Sequence, residues 1–377
     1  MGKTLQQHLD PAVGPKRILA LDGGGIRGAL TLGYLKKIET ILRDKHGKDY
    51  LLCDHFDLIG GTSTGSIIAS ALAIGMQVDD IVKMYMDLGG KIFGKKNDWW
   101  NPLETLRFLK AGYDHAALER SLKDVFGDIV LGGDEIRTGL CVVAKRADTN
   151  SVWPLLNHPG GKYFDSADGK NKNIKLWQAV RASSAAPTYF VPQMIDVGDG
   201  QRAAFVDGGV SMANNPALTL LMVATLKGFP FHWPMGADKL SIVSVGTGYS
   251  VFRKKTDEIE EAWLGTWAAS VPDMLMQDAS WQNQIVLQWL SDSPTAAEID
   301  GEVGSLKGDH LGGTPLIDYL RYNFPMTEQT LNAAGLGRTF GPKEVAAVVE
   351  MSNAENREIL YRIGVAASEA VKSAHFE

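Results

Sequence analysis

The sequence predicts an α/β fold, a sheet with helices covering both faces and a helical C-terminal extension. Three observations carry that prediction. Two strand, glycine-turn, helix units follow each other near the start of the chain. The helix of the second unit is apolar on both faces, which suits a buried helix. Further on, the run Leu240 to Val245 reads as a β-branched strand and ends in Gly246-Thr247-Gly248. Repeated units of this kind mark a sheet with covered faces.

The elements follow in order. Arg17 to Leu21 is a strand that ends in Asp22-Gly23-Gly24-Gly25-Ile26-Arg27-Gly28. The next helix carries Leu35, Ile38 and Leu42 at helical spacing, and Gly47 ends it. Phe56 to Gly60 is a second strand, running through Gly61-Thr62-Ser63-Thr64-Gly65 into a helix over Ser66 to Ile74. Val78 to Leu88 and His115 to Phe126 read as helices. Thr138 to Ala144 and Ser151 to Leu156 read as strands joined by a polar turn, and Asp165 to Asn173 as a loop. Ile174 to Ser183 is helical and stops before Pro187, which disfavours helix at the residue ahead of it. Ala203 to Val206 is a short strand entering Asp207-Gly208-Gly209. Asn215 to Lys227 is a helix with Pro216 in its first turn. Beyond it, Asp257 to Ser291 is long, helical and tryptophan-rich, and two more helices lie around Lys343–Met351 and Glu355–Ala374. The implied division is a tail over 1–16, an α/β domain over 17–250, and a helical region over 251–377 packed on the same domain.

Composition excludes several classes. The chain has 377 residues, of which 41 are glycine, without the three-residue period of collagen. Apolar residues make up 45%, too many for a disordered chain. The net charge of −6 and the lack of a basic run argue against duplex nucleic acid as a partner. Cys53 and Cys141 are far apart in sequence and fit neither a disulfide framework nor a metal knuckle, so a reduced, cytoplasmic setting is expected. Met1 to Pro15 is polar, with no signal-like apolar segment, and Ile67 to Ile74 is too short to span a bilayer.

Two glycine turns carry the chemistry. Gly23, Gly25 and Gly28 satisfy G-x-G-x-x-G between a strand and a helix, which fits dinucleotide binding, an oxyanion loop or a plain tight turn. A phosphate loop is excluded because no Gly-Lys-Ser/Thr follows. Gly61-Thr62-Ser63-Thr64-Gly65 has the G-x-S-x-G pattern of a nucleophile elbow, and its alternative role is a helix cap. A glycine turn followed by an elbow is the order of serine hydrolases with a backbone oxyanion hole, which weakens the dinucleotide reading, and Asp22 would also repel a pyrophosphate. A serine hydroxyl needs a base. Asp207 at its Asp-Gly turn is the first candidate, with a plain turn residue as its alternative reading. A three-residue relay would need His232 or His310. His232 lies among Phe231, Trp233 and prolines, which suits packing, while His310 in its glycine-flanked loop stays open.

Asp22 to Gly28, Gly61 to Gly65, Arg181-Ala182-Ser183-Ser184-Ala185-Ala186-Pro187, Asp207-Gly208-Gly209 and Asn214-Asn215-Pro216 together resemble the patatin-like phospholipases, over roughly Ile18 to Gly248. The resemblance implies a three-layer patatin-like sheet and a Ser–Asp dyad, with Ser63 as nucleophile and Asp207 as base. It places Gly23, Gly24, Gly25 and Arg27 in the oxyanion loop, and Thr64 is grouped with them. It implies no metal and no cofactor, and acyl esters of glycerophospholipids as substrates. The expected partner is a phospholipid membrane surface with peripheral association, and a homo-oligomer stays open. A weaker resemblance, to bacterial patatin-like effectors of anti-phage signalling, implies a cyclic-oligonucleotide activator.

Tryptophans offer two readings. Trp99-Trp100 beside Lys95-Lys96, with Trp263, Trp267, Trp281 and Trp289, suits a membrane interface. Core packing is the plainer reading, and Leu275, Ala279, Val286 and Leu290 share a helical face that supports it.

Overall fold

Strand residues alternate between two cores. On one side of the sheet Leu19, Leu21, Ile59, Val142 and Val245 pack together, and on the other Ile18, Ala20, Leu58, Cys141 and Ile242 do so. This period of two means that both faces of the sheet are covered. In the computed structural model, which describes residues 2–93, 115–187, 189–198, 200–251, 256–260 and 263–377, one sheet organises the chain.

Its strands are β1 (Lys16–Leu21), β2 (Leu58–Thr62), β3 (Gly139–Arg146), β4 (Ser151–Leu156), β5 (Gln193–Asp196), β6 (Arg202–Asp207), β7 (Leu240–Val245) and β8 (Asp318–Tyr322). Their order is β5-β6-β3-β2-β1-β7-β8, with β4 also paired to β3. From β3 to β8 the pairs are parallel, while β3–β4, β3–β6 and β5–β6 are antiparallel. The predicted α/β sheet covered on both faces is therefore present.

One face is covered by α1 (Gly28–His46), α2 (Thr64–Ala73) and α3 (Val78–Phe93). α4 (His115–Phe126) and α5 (Leu176–Ser183) pack into the same core. The helix that reads as apolar on both faces, α2, has all ten residues buried. The opposite core is closed by α6 (Ala217–Thr225) and by Leu287 and Leu290 at the end of α7 (Leu264–Trp289). α8 (Arg357–Ala367) returns to the first face and crosses α1 closely. A Cβ on Gly33 would strike the backbone of Gly364, and one on Gly364 would strike Leu30.

Several elements differ from the sequence reading. The segment read as a tail holds a helix, Leu5–Leu9, started by a capping box at Thr4. His8 is buried and its Nδ1 lies 2.9 Å from Asp57, while Lys3 reaches the same carboxylate at 2.7 Å. The region read as helical after residue 250 contributes the strand β8, which pairs in parallel with β7. Neither β5 nor β8 was expected, because Asp318-Tyr-Leu-Arg-Tyr322 shows neither polar–apolar alternation nor a β-branched run.

The face of α7 also differs. Leu275 is exposed, as are Trp263, Trp267 and Trp289, whereas Trp281 is half-buried against Tyr249, Val286 packs on the core and Leu290 is buried. The C-terminal end of α7 reaches the core through Val286, Leu287 and Leu290, while its first half carries most of its exposed large apolar residues. Trp99-Trp100 and Lys95-Lys96 lie outside the described residues. Among the described residues no helix is long and apolar enough to cross a membrane. Cys53 and Cys141 are both free and buried.

Candidate active site

Strand order brings the site together. β3 lies between β2 and β6, with Thr62 opposite Val143 and Ala144 opposite Asp207. Ser63 leaves the end of β2, Asp207 stands at the end of β6, and the glycine loop leaves β1 on the other side of β2. Residues remote in sequence therefore meet at one end of the sheet.

Ser63 occupies a sharp turn. Its φ is 53° and its ψ −124°, a left-handed conformation that costs a residue with a side chain free energy. Small neighbours make the turn possible. A Cβ on Gly61 would collide with the backbone of Gly65, and one on Gly65 with the Leu21 carbonyl. The Ser63 N–H donates to Ser183 Oγ at 2.8 Å, and that hydroxyl donates to the Val143 carbonyl at 2.6 Å. Ser183 thus fixes the elbow. Its segment was recognised in the sequence, but its part in holding Ser63 was not.

Ser63 Oγ donates to Asp207 Oδ2 at 2.6 Å. The other oxygen, Oδ1, accepts the Gly209 N–H at 2.7 Å. Asp207 is buried, and that burial raises its pKa from 3.8 to about 6 against the lowering effects of Ser63, the Gly209 N–H and Arg181. It is therefore a stronger base than an exposed aspartate while still ionised at neutral pH. Among the described residues no histidine is hydrogen-bonded to Ser63 or Asp207. His310 faces Asp292, with Nε2 and Oδ1 3.9 Å apart, and His232 sits in an exposed turn with Nε2 3.3 Å from the Lys227 carbonyl.

The glycine loop lies against the elbow: a Cβ on Gly23 would come within 3.3 Å of the Ser63 Cβ. Donors in the loop are not equivalent. The Gly23 N–H donates to the Asn214 carbonyl at 3.0 Å and is occupied. The N–H groups of Gly24, Gly25 and Thr64 have no acceptor among the described residues. Thr64 opens α2, where N–H groups lack partners within the helix and the helix dipole favours negative charge. Arg27 closes the short turn Gly25–Arg27 just before α1.

Four braces hold this loop. Tyr85 OH donates to the Gly25 carbonyl at 2.5 Å and is bonded to Thr64 Oγ1 at 2.5 Å, joining loop to elbow. Thr247 Oγ1 donates to the Gly23 carbonyl at 3.0 Å, so the turn Gly246-Thr247-Gly248 supports the glycine loop. The Ile26 N–H donates to the Met351 carbonyl at 2.9 Å. Arg321 on β8 grips Asp22 with two bonds, 2.9 and 2.6 Å long, and donates to Ser244 Oγ at 2.7 Å. Burial works against the charge on Arg321, yet the Asp22 carboxylate outweighs it and raises the guanidinium pKa. The sequence reading took Asp22 as a bare negative charge, whereas in the fold it is neutralised.

Fold and site together define a class: an α/β protein with a serine on a strand-to-helix elbow, a carboxylate bonded to its hydroxyl, and a glycine loop alongside. Comparison with known proteins identifies the group within that class. The model of the patatin-like phospholipase family matches residues 19–221, and the chain belongs to that family. It is 34% identical over 233 residues to the cGAMP-activated phospholipase of Escherichia coli (strain TW11681), covering 61% of this chain and 62% of the relative's length. It is 27% identical over 323 residues to Patatin-like protein 4 of Arabidopsis thaliana, covering 78% of this chain and 77% of that protein. A solved structure of human GIVD cytosolic phospholipase A2 aligns with a TM-score of 0.47 at 11% identity, over 98% of this chain and 63% of that one.

Proposed function

We propose that the protein is a lipid acyl hydrolase that cleaves acyl esters of glycerophospholipids, with Ser63 as nucleophile and Asp207 as base. The observation that carries this reading is the 2.6 Å hydrogen bond from Ser63 Oγ to the buried Asp207 carboxylate. Ser63 Oγ attacks the ester carbonyl carbon while Asp207 takes its proton. The oxyanion of the tetrahedral intermediate accepts hydrogen bonds from the free N–H groups of Gly24, Gly25 and Thr64. Such donors are worth ~3–4 kcal/mol each where they have been measured. As the intermediate collapses, the C–O bond breaks and Asp207 returns the proton to the departing lysolipid oxygen. Water then attacks the acyl-serine with Asp207 again as base, releasing the fatty acid and restoring Ser63.

Assays on a fluorogenic acyl ester test the assignment. Ser63→Ala and Asp207→Asn are expected to lose turnover, and His310→Ala to keep it. Wild-type turnover in either of the first two overturns the dyad, and loss of activity in the third restores a triad. The relatives support a regulated reading. The name of the Escherichia coli relative specifies activation by cGAMP, and that of another by cUMP-AMP. We extend activation by a cyclic dinucleotide to this chain, with membrane degradation as an anti-phage output. Purified protein should then hydrolyse phospholipid faster with such a nucleotide than without it, and full activity in its absence removes this part of the reading.

A further inference from the structure

One helix turns its apolar side to water. Trp263, just before α7, is 74% exposed and Leu275 63% exposed, and Trp267, Val271 and Met274 between them are exposed as well. Steps of four, four and three residues keep Trp263, Trp267, Val271 and Met274 on one side of the helix, a stripe ~17 Å long. Single exposed apolar residues are ordinary, but a continuous stripe marks an interaction surface.

The stripe belongs to an anchored element. Near the other end of α7, Asn283 Nδ2 donates to the Met212 and Asn215 carbonyls, at 2.8 Å each, and Leu287 is fully buried. These bonds tie the helix to the turn that carries Asp207. Met212, five positions beyond Asp207, is itself 63% exposed. Bare apolar surface therefore lies on the segment that follows the base and is tied to α7, and Leu275 lies ~12 Å along the helix from Asn283.

We propose that the α7 stripe, with Met212, is the surface that seats the protein on a lipid bilayer. The inference rests on the hydrolase reading above, because a substrate embedded in a bilayer requires the mouth of the site to face that bilayer. The composition of the stripe suits this occupant. Tryptophan joins a large apolar ring to one N–H and settles at the headgroup boundary. The chain carries a net charge of −6, so attraction to anionic lipid gives no general help and apolar contact supplies the affinity. Binding is thus expected on zwitterionic phosphatidylcholine and is expected to change little with salt.

The test separates this surface from the chemistry. Ser63→Ala protein is co-sedimented with phosphatidylcholine vesicles, with and without Trp263→Ala and Trp267→Ala together. Both tryptophans are exposed, and an unchanged thermal unfolding curve confirms the fold. The double change is expected to cut the bound fraction at least tenfold at low and high salt. In the active protein it is expected to spare turnover of a short, water-soluble ester while cutting vesicle phospholipid hydrolysis at least tenfold. Undiminished vesicle binding overturns the proposal. So does a self-associated form in sedimentation equilibrium that the double change dissociates while vesicle binding persists, which would make the stripe a contact between copies. Soluble-ester turnover that survives Ser63→Ala would instead refute the dyad and leave the vesicle result standing by itself.

Discussion

Replacing Asp207 with asparagine should stabilise the fold while it abolishes turnover. In an unfolded chain this carboxyl ionises near 3.8, but in the fold only near a pKa of about 6. Its protonated form therefore favours the folded state. The stabilisation is fully present below 3.8 and is lost as pH rises through about 6. Loss of that preference amounts to ~3 kcal/mol by pH 8, and roughly half has been lost by pH 5. Asparagine carries no charge. It keeps an oxygen for the Gly209 N–H and presents an amide to Ser63 Oγ. Asp207→Asn should thus resist urea better than the wild type at pH 8, by up to ~3 kcal/mol, and by about half as much at pH 5. Tryptophan fluorescence during urea titration at both pH values measures this, and comparing the two removes any effect of the substitution that does not depend on pH. An equal difference at pH 5 and pH 8, or a variant that weakens relative to the wild type as pH rises, would refute the argument that burial of Asp207 costs the fold energy.

Two other outcomes follow from the same geometry. With Asp207 as the proposed base, active only when ionised, kcat/KM on a soluble ester should rise through a pH of about 6 and level off above it, and a flat profile between pH 5 and pH 8 would exclude it as the base. Arg321→Met should lower the unfolding free energy by roughly 3–5 kcal/mol, since it leaves Asp22 buried without its counter-charge, and adding Asp22→Asn should restore part of that loss; a calorimetric scan showing no change in Arg321→Met would refute the role given to this pair.

What the sequence disclosed and what it hid have different physical origins. Leu240 to Val245 was bounded correctly because a β-branched run flanked by loop residues leaves little alternative. Ser63 was legible because the steric demands of an elbow fall on residues two positions away, Gly61 and Gly65. Asp207 was legible only through a motif, since an Asp-Gly turn alone is common. The braces were not legible. Arg321 lies in a strand without polar–apolar alternation, and its partner Asp22 is 299 positions away. The engagement of the Gly23 N–H by Asn214 also depends on tertiary structure, and it leaves fewer free N–H groups in the loop than the motif suggests. The face of Leu275, Ala279, Val286 and Leu290 packs on the core only at its Val286–Leu290 end, since helical periodicity shows which residues align, but not whether anything lies opposite them.

The brace from Arg321 to Asp22 also bears on the order of events during synthesis. The glycine loop emerges from the ribosome near the beginning of translation, yet it is held by side chains and carbonyls from Asn214, Thr247, Arg321 and Met351. At ribosomal speeds of about 5–20 residues per second, tens of seconds separate Asp22 from Arg321. Asp207 is itself made more than halfway through that interval, so Ser63 stands in the nascent chain first without its carboxylate partner and then without the last pieces that shape the loop. Under the membrane-degrading function proposed above, this delay would protect the cell that makes the enzyme. Its reactive centre is completed last, when the chain is almost fully made.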